Sequence, residues 1–280
     1  MAAILLSNTY FLSFDRKQLS QMQPYPPLAT LYAAAVLREK GYSVALHDTI
    51  FAQSVIEIIP VFEKEHPSFF VIYDDGFNYL TKMCLTNMRE AAFEMIAIAK
   101  QYDCTIIISS SDATDHAEEY LRKGADYIIK GEAEITLLEL MEALSAGVAD
   151  NKNIAGLSFL SGSEIINTPK RNVLQHLDSI PFPAWDLVDM NLYQKKWREK
   201  NGYFSLNLTT TRGCPFKCNW CAKPIYGNRY NSRSPQNVVD EIKMLLQKYQ
   251  PDHFWFCDDI FGLKPGWIKS FSELVQQEQL

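Results

Sequence analysis

Thr105-Ile106-Ile107-Ile108-Ser109 is apolar at every interior position, and Phe69-Phe70-Val71-Ile72-Tyr73 reads the same way. A strand with one wet face alternates apolar and polar residues. These two do not, so both of their faces are buried, as in a parallel sheet covered by helices on each side. Outward from them, residues 3–7, 43–47 and 127–130 read as further strands. Amphipathic stretches over 28–40, 54–65, 82–101, 115–123 and 135–146 predict the intervening helices. Gly41 and Gly124 follow helical patterns at the position where a left-handed residue ends a helix. Regular alternation of strand and helix gives an α/β, doubly wound parallel sheet over residues 1–150. Such sheets bind ligands beyond the carboxyl ends of their strands, here 7–14, 48–50, 74–76, 109–112 and 131–134.

Residues 151–201 differ. Two short apolar runs flank Ser161-Gly162-Ser163 and predict a β-hairpin. Asp178-Ser179-Ile180-Pro181-Phe182-Pro183-Ala184-Trp185-Asp186 reads as a defined, extended linker, because proline fixes φ and lacks an amide hydrogen. From residue 202 a second α/β pattern begins. It has a strand over 204–211, a helix over 236–249 with Ser234 as N-cap and Pro235 in its first turn, a strand over 253–257 and a helix over 266–277.

The net charge of -6 argues against a nucleic-acid backbone as the main partner. No apolar run is long enough to span a bilayer, and the N-terminus reads as a first strand without the basic start of an export signal. The expected location is cytoplasmic, so the six cysteines are not a disulfide framework. Cys84 and Cys104 read as small buried hydrophobes. Among the histidines, His116 reads as a helix N-terminal residue, and His47, His66 and His176 as structural. The aromatics Trp185, Trp197, Phe204, Trp220, Trp255 and Trp267 suit packing better than a substrate cage.

Cys214, Cys218 and Cys221 stand apart. They lie in Thr210-Thr211-Arg212-Gly213-Cys214-Pro215-Phe216-Lys217-Cys218-Asn219-Trp220-Cys221, where Gly213 and Pro215 suit a tight turn. Three thiolates on one loop can each take one iron of a [4Fe–4S] cubane, leaving the last iron without a protein ligand. An open coordination position is what a reactive metal site requires. Three alternatives stay open: a zinc site completed by Cys257 or His253, an electron-transfer cluster with a further cysteine, and unrelated core cysteines. The spacing favours the cubane.

At these residues the sequence resembles the radical S-adenosylmethionine (SAM) superfamily, whose signature is C-x3-C-x2-C with an aromatic before the third cysteine, here Trp220. The resemblance implies that the open iron chelates the amino and carboxylate groups of SAM. One electron, from a donor such as ferredoxin or flavodoxin, then cleaves the S–C5′ bond to give a 5′-deoxyadenosyl radical, or SAM serves as a methyl donor. The family places a polar or acidic motif at the end of the second strand to hold the SAM ammonium, which assigns Asp258 and Asp259 to SAM. Their other reading is an acidic strand end that caps the next segment. Phe216, Trp220 and Arg233 are further SAM contacts on this reading. Arg229 and Arg233 suit a carboxylate of SAM or substrate, and equally a plain surface role.

An α/β domain before the cluster is similar to the cobalamin-binding radical SAM enzymes. The likeness is carried by Ser111-Asp112-Ala113-Thr114-Asp115-His116, by Gly124-Ala125-Asp126-Tyr127-Ile128-Ile129-Lys130-Gly131-Glu132-Ala133-Glu134, by Tyr25-Pro26-Pro27-Leu28 and by the Pro/aromatic linker. It implies a B12-binding-like Rossmann domain followed by an incomplete radical SAM (β/α) barrel, and it covers essentially all of the chain. Expected cobalamin contacts are Asn8, Thr9, Tyr10, Tyr25, Pro26, Tyr73, Ser109, Ser110, Gly131 and Glu132. The D-x-H-x-x-G motif that supplies a lower axial histidine is missing, so no histidine from it is expected on cobalt. The implied chemistry is methylation of an unactivated carbon or phosphorus centre in a small molecule. Cyclisation or rearrangement without cobalamin, and an inactive binding module, are the alternatives. Only part of a barrel follows the linker, so the chain reads as an N-terminal portion, expected to be poorly active alone.

Overall fold

The computed structural model describes residues 3–78, 81, 86–148, 151–219, 221 and 225–280. Seven strands form one sheet: β1 (Ile4–Ser7), β2 (Val44–His47), β3 (Phe69–Tyr73), β4 (Thr105–Ser109), β5 (Tyr127–Ile129), β6 (Leu157–Ser161) and β7 (Glu164–Asn167). Their order is β2-β1-β3-β4-β5-β6-β7. Pairings among β1 to β5 are parallel, while β6 and β7 add on antiparallel. The chain runs from β1 outward to β2 and back to β3. That reversal is the switch point at which doubly wound sheets open a ligand crevice.

The unbroken apolar runs are explained by what covers them. Ile4, Leu6, Val71, Ile107 and Ile129 face a core shared with α2 (Leu28–Glu39) and α7 (Glu134–Ser145). Leu5, Phe70, Ile72, Ile106, Ile108 and Ile128 face α3 (Ile59–Glu65), α4 (Thr86–Ala99) and α6 (Ala117–Lys123). Each such isoleucine is worth about 1.5–3 kcal/mol of burial. Two short helices complete this half, α1 (Arg16–Gln21) and α5 (Ser111–Asp115). The helix expected over 115–123 is α6, and the short α5 precedes it: the Ser110 hydroxyl caps α5 by accepting from the Ala113 amide, and His116, at φ -119°, separates the two. Part of the stretch expected as a helix over 82–101, including Cys84, lies outside the described residues.

The hairpin is part of the sheet, since Phe159 of β6 pairs with Tyr127 of β5. After the stretch read as an extended linker, residues 151–201 also contain a helix, α8 (Met190–Asn201). Asp189 caps it by accepting from the Leu192 amide, and Gly202 ends it at φ 80°. Only Met190, Tyr193 and Trp197 of α8 are buried, so the apolar stripe is thin. Trp197 is fully buried and donates to the Pro24 carbonyl at 2.6 Å.

The remaining elements are β8 (Ser205–Leu208), β9 (Thr211–Arg212), β10 (Asn231–Ser232), α9 (Pro235–Tyr249), β11 (His253–Phe256) and α10 (Pro265–Gln277). The strand expected over 204–211 is thus two, broken after Leu208. β8 and β11 pair in parallel, and β9 and β10 antiparallel. Leu206, Leu208, Val238 and Leu245 belong to the same apolar cluster as α2 and one face of the large sheet. The two halves therefore share a core. Among the described residues no helix is long and apolar enough to cross a membrane.

Candidate metal and cofactor site

β8 is buried along its whole length and delivers the chain to the cysteine loop. The break after Leu208 is organised by Asp258, at the end of β11. Its Oδ1 accepts from the Thr209 hydroxyl at 2.9 Å and from the amides of Thr210 and Thr211 at 2.6 and 2.8 Å, and its Oδ2 from the Thr210 hydroxyl at 2.6 Å. Burial raises the Asp258 carboxyl, and these hydrogen bonds pull it back down. Gly213 follows with φ 80°. A Cβ there would overlap the Arg229 carbonyl oxygen and lie 2.7 Å from that of Tyr226. Only glycine fits.

Cys214 is half-buried and its amide donates to the Gly227 carbonyl at 3.3 Å. Cys218 and Cys221 are exposed, joined by a Cys221 amide to Cys218 carbonyl bond of 3.3 Å. Among the described residues no three His, Cys, Asp or Glu side chains converge on a single-ion position. A cubane does not ask for that, since each thiolate takes a different iron. Three thiol groups on one accessible loop are a donor set that fits it. The zinc alternative's candidate extra ligands, Cys257 and His253, both make hydrogen bonds, and among the described residues neither joins the loop cysteines in a group that could hold a metal ion. The Cys257 thiol is buried and donates to the Leu208 carbonyl at 3.2 Å, and His253 Nδ1 lies 2.9 Å from the Ser205 hydroxyl. Cys104 is buried in the large sheet's core, with its thiol pushed up to about 11 by burial.

The expected SAM contacts divide. Phe216, Asp259 and Arg229 are exposed around the loop. Trp220 lies outside the described residues. Asp258 is committed to the turn before the cysteines. Arg233 requires correction, because its guanidinium faces the protein interior. It pairs with Glu241 at 2.5 Å, donates to the Thr209 carbonyl, the Tyr32 hydroxyl and Asn237, and stacks over Phe182. Burial of the Arg233–Glu241 pair, at 5% and 0% side-chain exposure, leaves no face for a ligand.

The expected cobalamin contacts lie near the carboxyl ends of the strands, with exceptions. Tyr73, Ser109, Ser110 and Gly131 line one crevice with Asp74, Gly76, Ile225 and Tyr226. Asn8, Tyr10 and Tyr25 line a second with Asp48 and Asp75, and Tyr10 and Tyr25 also border a cavity of about 250 Å³ reaching Trp255. Thr9 instead ties to Asp74, donating from its amide and hydroxyl at 2.8 Å. Pro26 contributes a carbonyl to Asn207 at 2.9 Å. Glu132 also requires correction, since its carboxylate is taken by Arg212 at 2.6 Å and by the Leu174 amide at 2.6 Å.

The crevice at Gly76 and Gly131 is about 20 Å³, with Ile225 and Tyr226 across it. A Cβ on Gly76 would lie 3.0 Å from the Tyr226 hydroxyl. The strand ends there carry the small residues Gly76, Ser109, Ser110 and Gly131.

One residue went unread in the sequence. Arg212, beside Gly213, is 3% exposed and bridges Glu132 and Glu134, the latter at 2.9 Å. Its guanidinium lies within 5.0–5.4 Å of the ring centroids of Tyr32, Phe77 and Tyr226. Burial, with the like charge of Glu134, holds Glu132 above the usual carboxylate range against the pull of Arg212. The available signal was a basic residue beside the cysteines and an acidic pair, Glu132 and Glu134, at the end of a strand.

No family model matches the chain. Sequence relatives are clear. An uncharacterized methyltransferase of Pyrococcus horikoshii is 28% identical over 261 residues, 91% of this chain and 53% of the relative. The anaerobic magnesium-protoporphyrin IX monomethyl ester cyclase of Cereibacter sphaeroides is 32% identical over 136 residues, 48% of this chain and 22% of the relative. The chain spans about half the length of the first relative and less of the second. In fold it matches the radical SAM methyltransferase TsrM of Kitasatospora setae, with TM-score 0.73 and 20% identity over 100% of this chain and 52% of that one. That enzyme is known with cobalamin and a [4Fe–4S] cluster bound, and with tryptophan substrate and a SAM analogue.

Proposed function

We propose that this chain, a relative of the cobalamin-binding radical SAM enzymes, is the cofactor-bearing part of such an enzyme, with methyltransferase-type chemistry on a small molecule. The carrying observation is that the Cys214, Cys218 and Cys221 loop, which follows β8 and β9, leads directly into Ile225 and Tyr226, which line a crevice at the carboxyl ends of the large sheet's strands. On this reading residues 1–150 form the cobalamin-binding unit, 151–201 the connection and 202–280 the start of a barrel.

The cluster, when bound, supplies the electron that cleaves SAM; the protein supplies position and shielding. Cys214, Cys218 and Cys221 hold it. Asp258 rigidifies the turn before the first of them. Asp259, exposed and next to Asp258 in the chain, would receive the SAM ammonium, a charge-assisted pairing. Phe216, 56% exposed, offers a flat apolar face for the adenine. Gly76, Ser109, Ser110 and Gly131 form the floor for the corrinoid, and no histidine of the described residues lines that floor. The substrate is an unactivated carbon or phosphorus centre. The relatedness to a cyclase favours a second reading, oxidative cyclisation by the same cluster.

The test is protein purified without oxygen from cells fed cobalamin, then incubated with SAM and reductant. Cluster and corrinoid absorption bands with formation of 5′-deoxyadenosine are expected. A cluster without corrinoid would refute the corrinoid part of the reading, and the lack of both would refute it whole.

A further inference from the structure

Arg212 and the pair Glu132 and Glu134 belong to opposite halves of the molecule. Arg212 lies in β9, two residues before Cys214. Glu132 follows Gly131 at the end of β5, and Glu134 opens α7. All three side chains are 5% exposed or less. A charged group this deep persists only if it is paired, and removing one partner leaves the other charge uncompensated. The arrangement is also directional. One guanidinium spans two carboxylates at 2.6 and 2.9 Å while its planar faces sit among Tyr32, Phe77 and Tyr226. A lysine ammonium carries the charge but neither the fork nor the stacking plane.

The neighbours of this contact matter. On one side, Gly213, which joins Arg212 to Cys214, has the carbonyls of Tyr226, Gly227 and Arg229 within 3.0 Å of where a Cβ would stand. On the other, Glu132 adjoins Gly131, which lines the crevice at the strand ends. The Glu132 carboxylate also receives the Leu174 amide, so its own position is fixed by the segment after the hairpin.

We propose that Arg212, bridging Glu132 and Glu134, is a positioning residue that registers the cysteine loop against the strand ends of the first unit, so that cluster assembly and corrinoid binding are energetically coupled. This rests on the function proposed above. The coupling is reciprocal: whatever factor the cluster adds to corrinoid affinity, the corrinoid adds to cluster retention.

The experiment compares wild type, Arg212→Lys, Glu132→Gln and the double variant, each as the full chain, reconstituted anaerobically with iron and sulfide and checked for folding by circular dichroism. The Kd for hydroxocobalamin is measured in cluster-loaded and cluster-free protein. The EPR spectrum of the reduced cluster is recorded with and without SAM. In wild type the two Kd values are expected to differ by about fivefold or more. In each variant the ratio falls toward one while iron content is kept, the EPR response to SAM changes, and the double variant is no worse than either single one. Folded variants with the wild-type ratio and spectrum would overturn the proposal. If Arg212→Lys does not fold, Glu132→Gln, which removes one charge and keeps Glu134, decides alone. If wild type holds a cluster but binds no hydroxocobalamin, the corrinoid part of the proposed function falls, and the positioning role is decided by the EPR arm: an altered spectrum in the variants upholds it and an unchanged one refutes it.

Discussion

The Asp258 carboxylate accepts the Thr210 amide at 2.6 Å, tying the end of β11 to the turn that leads into the cysteines. With the bonds from Thr209, Thr211 and the Thr210 hydroxyl, one side chain satisfies the donors of a strand break. Its neighbour Asp259 is exposed. The two acidic residues read together in the sequence therefore differ in burial and setting.

Their separation is testable by paired substitution. Asp258→Ala strands several donors, each at about 1–3 kcal/mol, and should lower the melting temperature and the iron retained after reconstitution. Asp259→Asn should leave both near wild type and weaken SAM binding, measured by calorimetry on the cluster-loaded protein. Equal loss of iron in both variants would contradict the division.

Gly213→Ala should abolish cluster assembly while the large sheet persists. The new methyl meets the backbone oxygens of Arg229 and Tyr226, and φ is 80°. Gly162→Ala, at φ 62° with nothing within 4 Å, is the control. It should cost only about 1–2 kcal/mol of backbone strain and keep the iron. Iron and sulfide analysis reads both.

Much of this was legible in the sequence because it rests on local chemistry. Phe69–Tyr73 and Thr105–Ser109 lie where their apolar runs put them, since a strand buried on both faces needs no partner to be recognised. The cysteine spacing located the loop for the same reason. α8 was missed because only Met190, Tyr193 and Trp197 carry its apolar stripe, although Asp189 and Gly202 supplied both caps. Glu132 was read as a ligand contact because a sequence does not show pairing with Arg212, which is fixed only when the two halves meet. Arg233 was read so although its partner Glu241 is near in sequence, on the buried face of the helix that follows it.

Arg233→Ala should destabilise the protein by about 3–5 kcal/mol, because Glu241 is then buried without its partner. Replacing both residues by methionine should recover most of that loss in a urea titration. A single variant of wild-type stability with reduced SAM affinity would restore Arg233 to the cofactor.

Asp48 makes stability depend on pH. Burial pushes its carboxyl up to about 6, although the Tyr193 hydroxyl donates to it at 2.6 Å. The folded value lies above the unfolded one, so the folded state binds the extra proton. Its contribution is complete below about pH 4 and is lost as pH rises through about 6. Asp74, raised to about 6 chiefly by burial, acts in the same sense. His47, lowered to about 4 by burial, opposes them by favouring higher pH. Asp48→Asn isolates one group: the melting temperature of wild type minus that of the variant should fall between about pH 4 and pH 7. A constant difference would contradict the assignment.

The most direct measurement is the iron and sulfide content of the anaerobically reconstituted chain, with EPR of the reduced cluster before and after SAM. About four irons and four sulfides per chain are expected. The spectrum should change on SAM addition and be lost in Cys214→Ala, Cys218→Ala and Cys221→Ala. A cluster that persists in those variants, or one indifferent to SAM, would contradict an open iron on this loop.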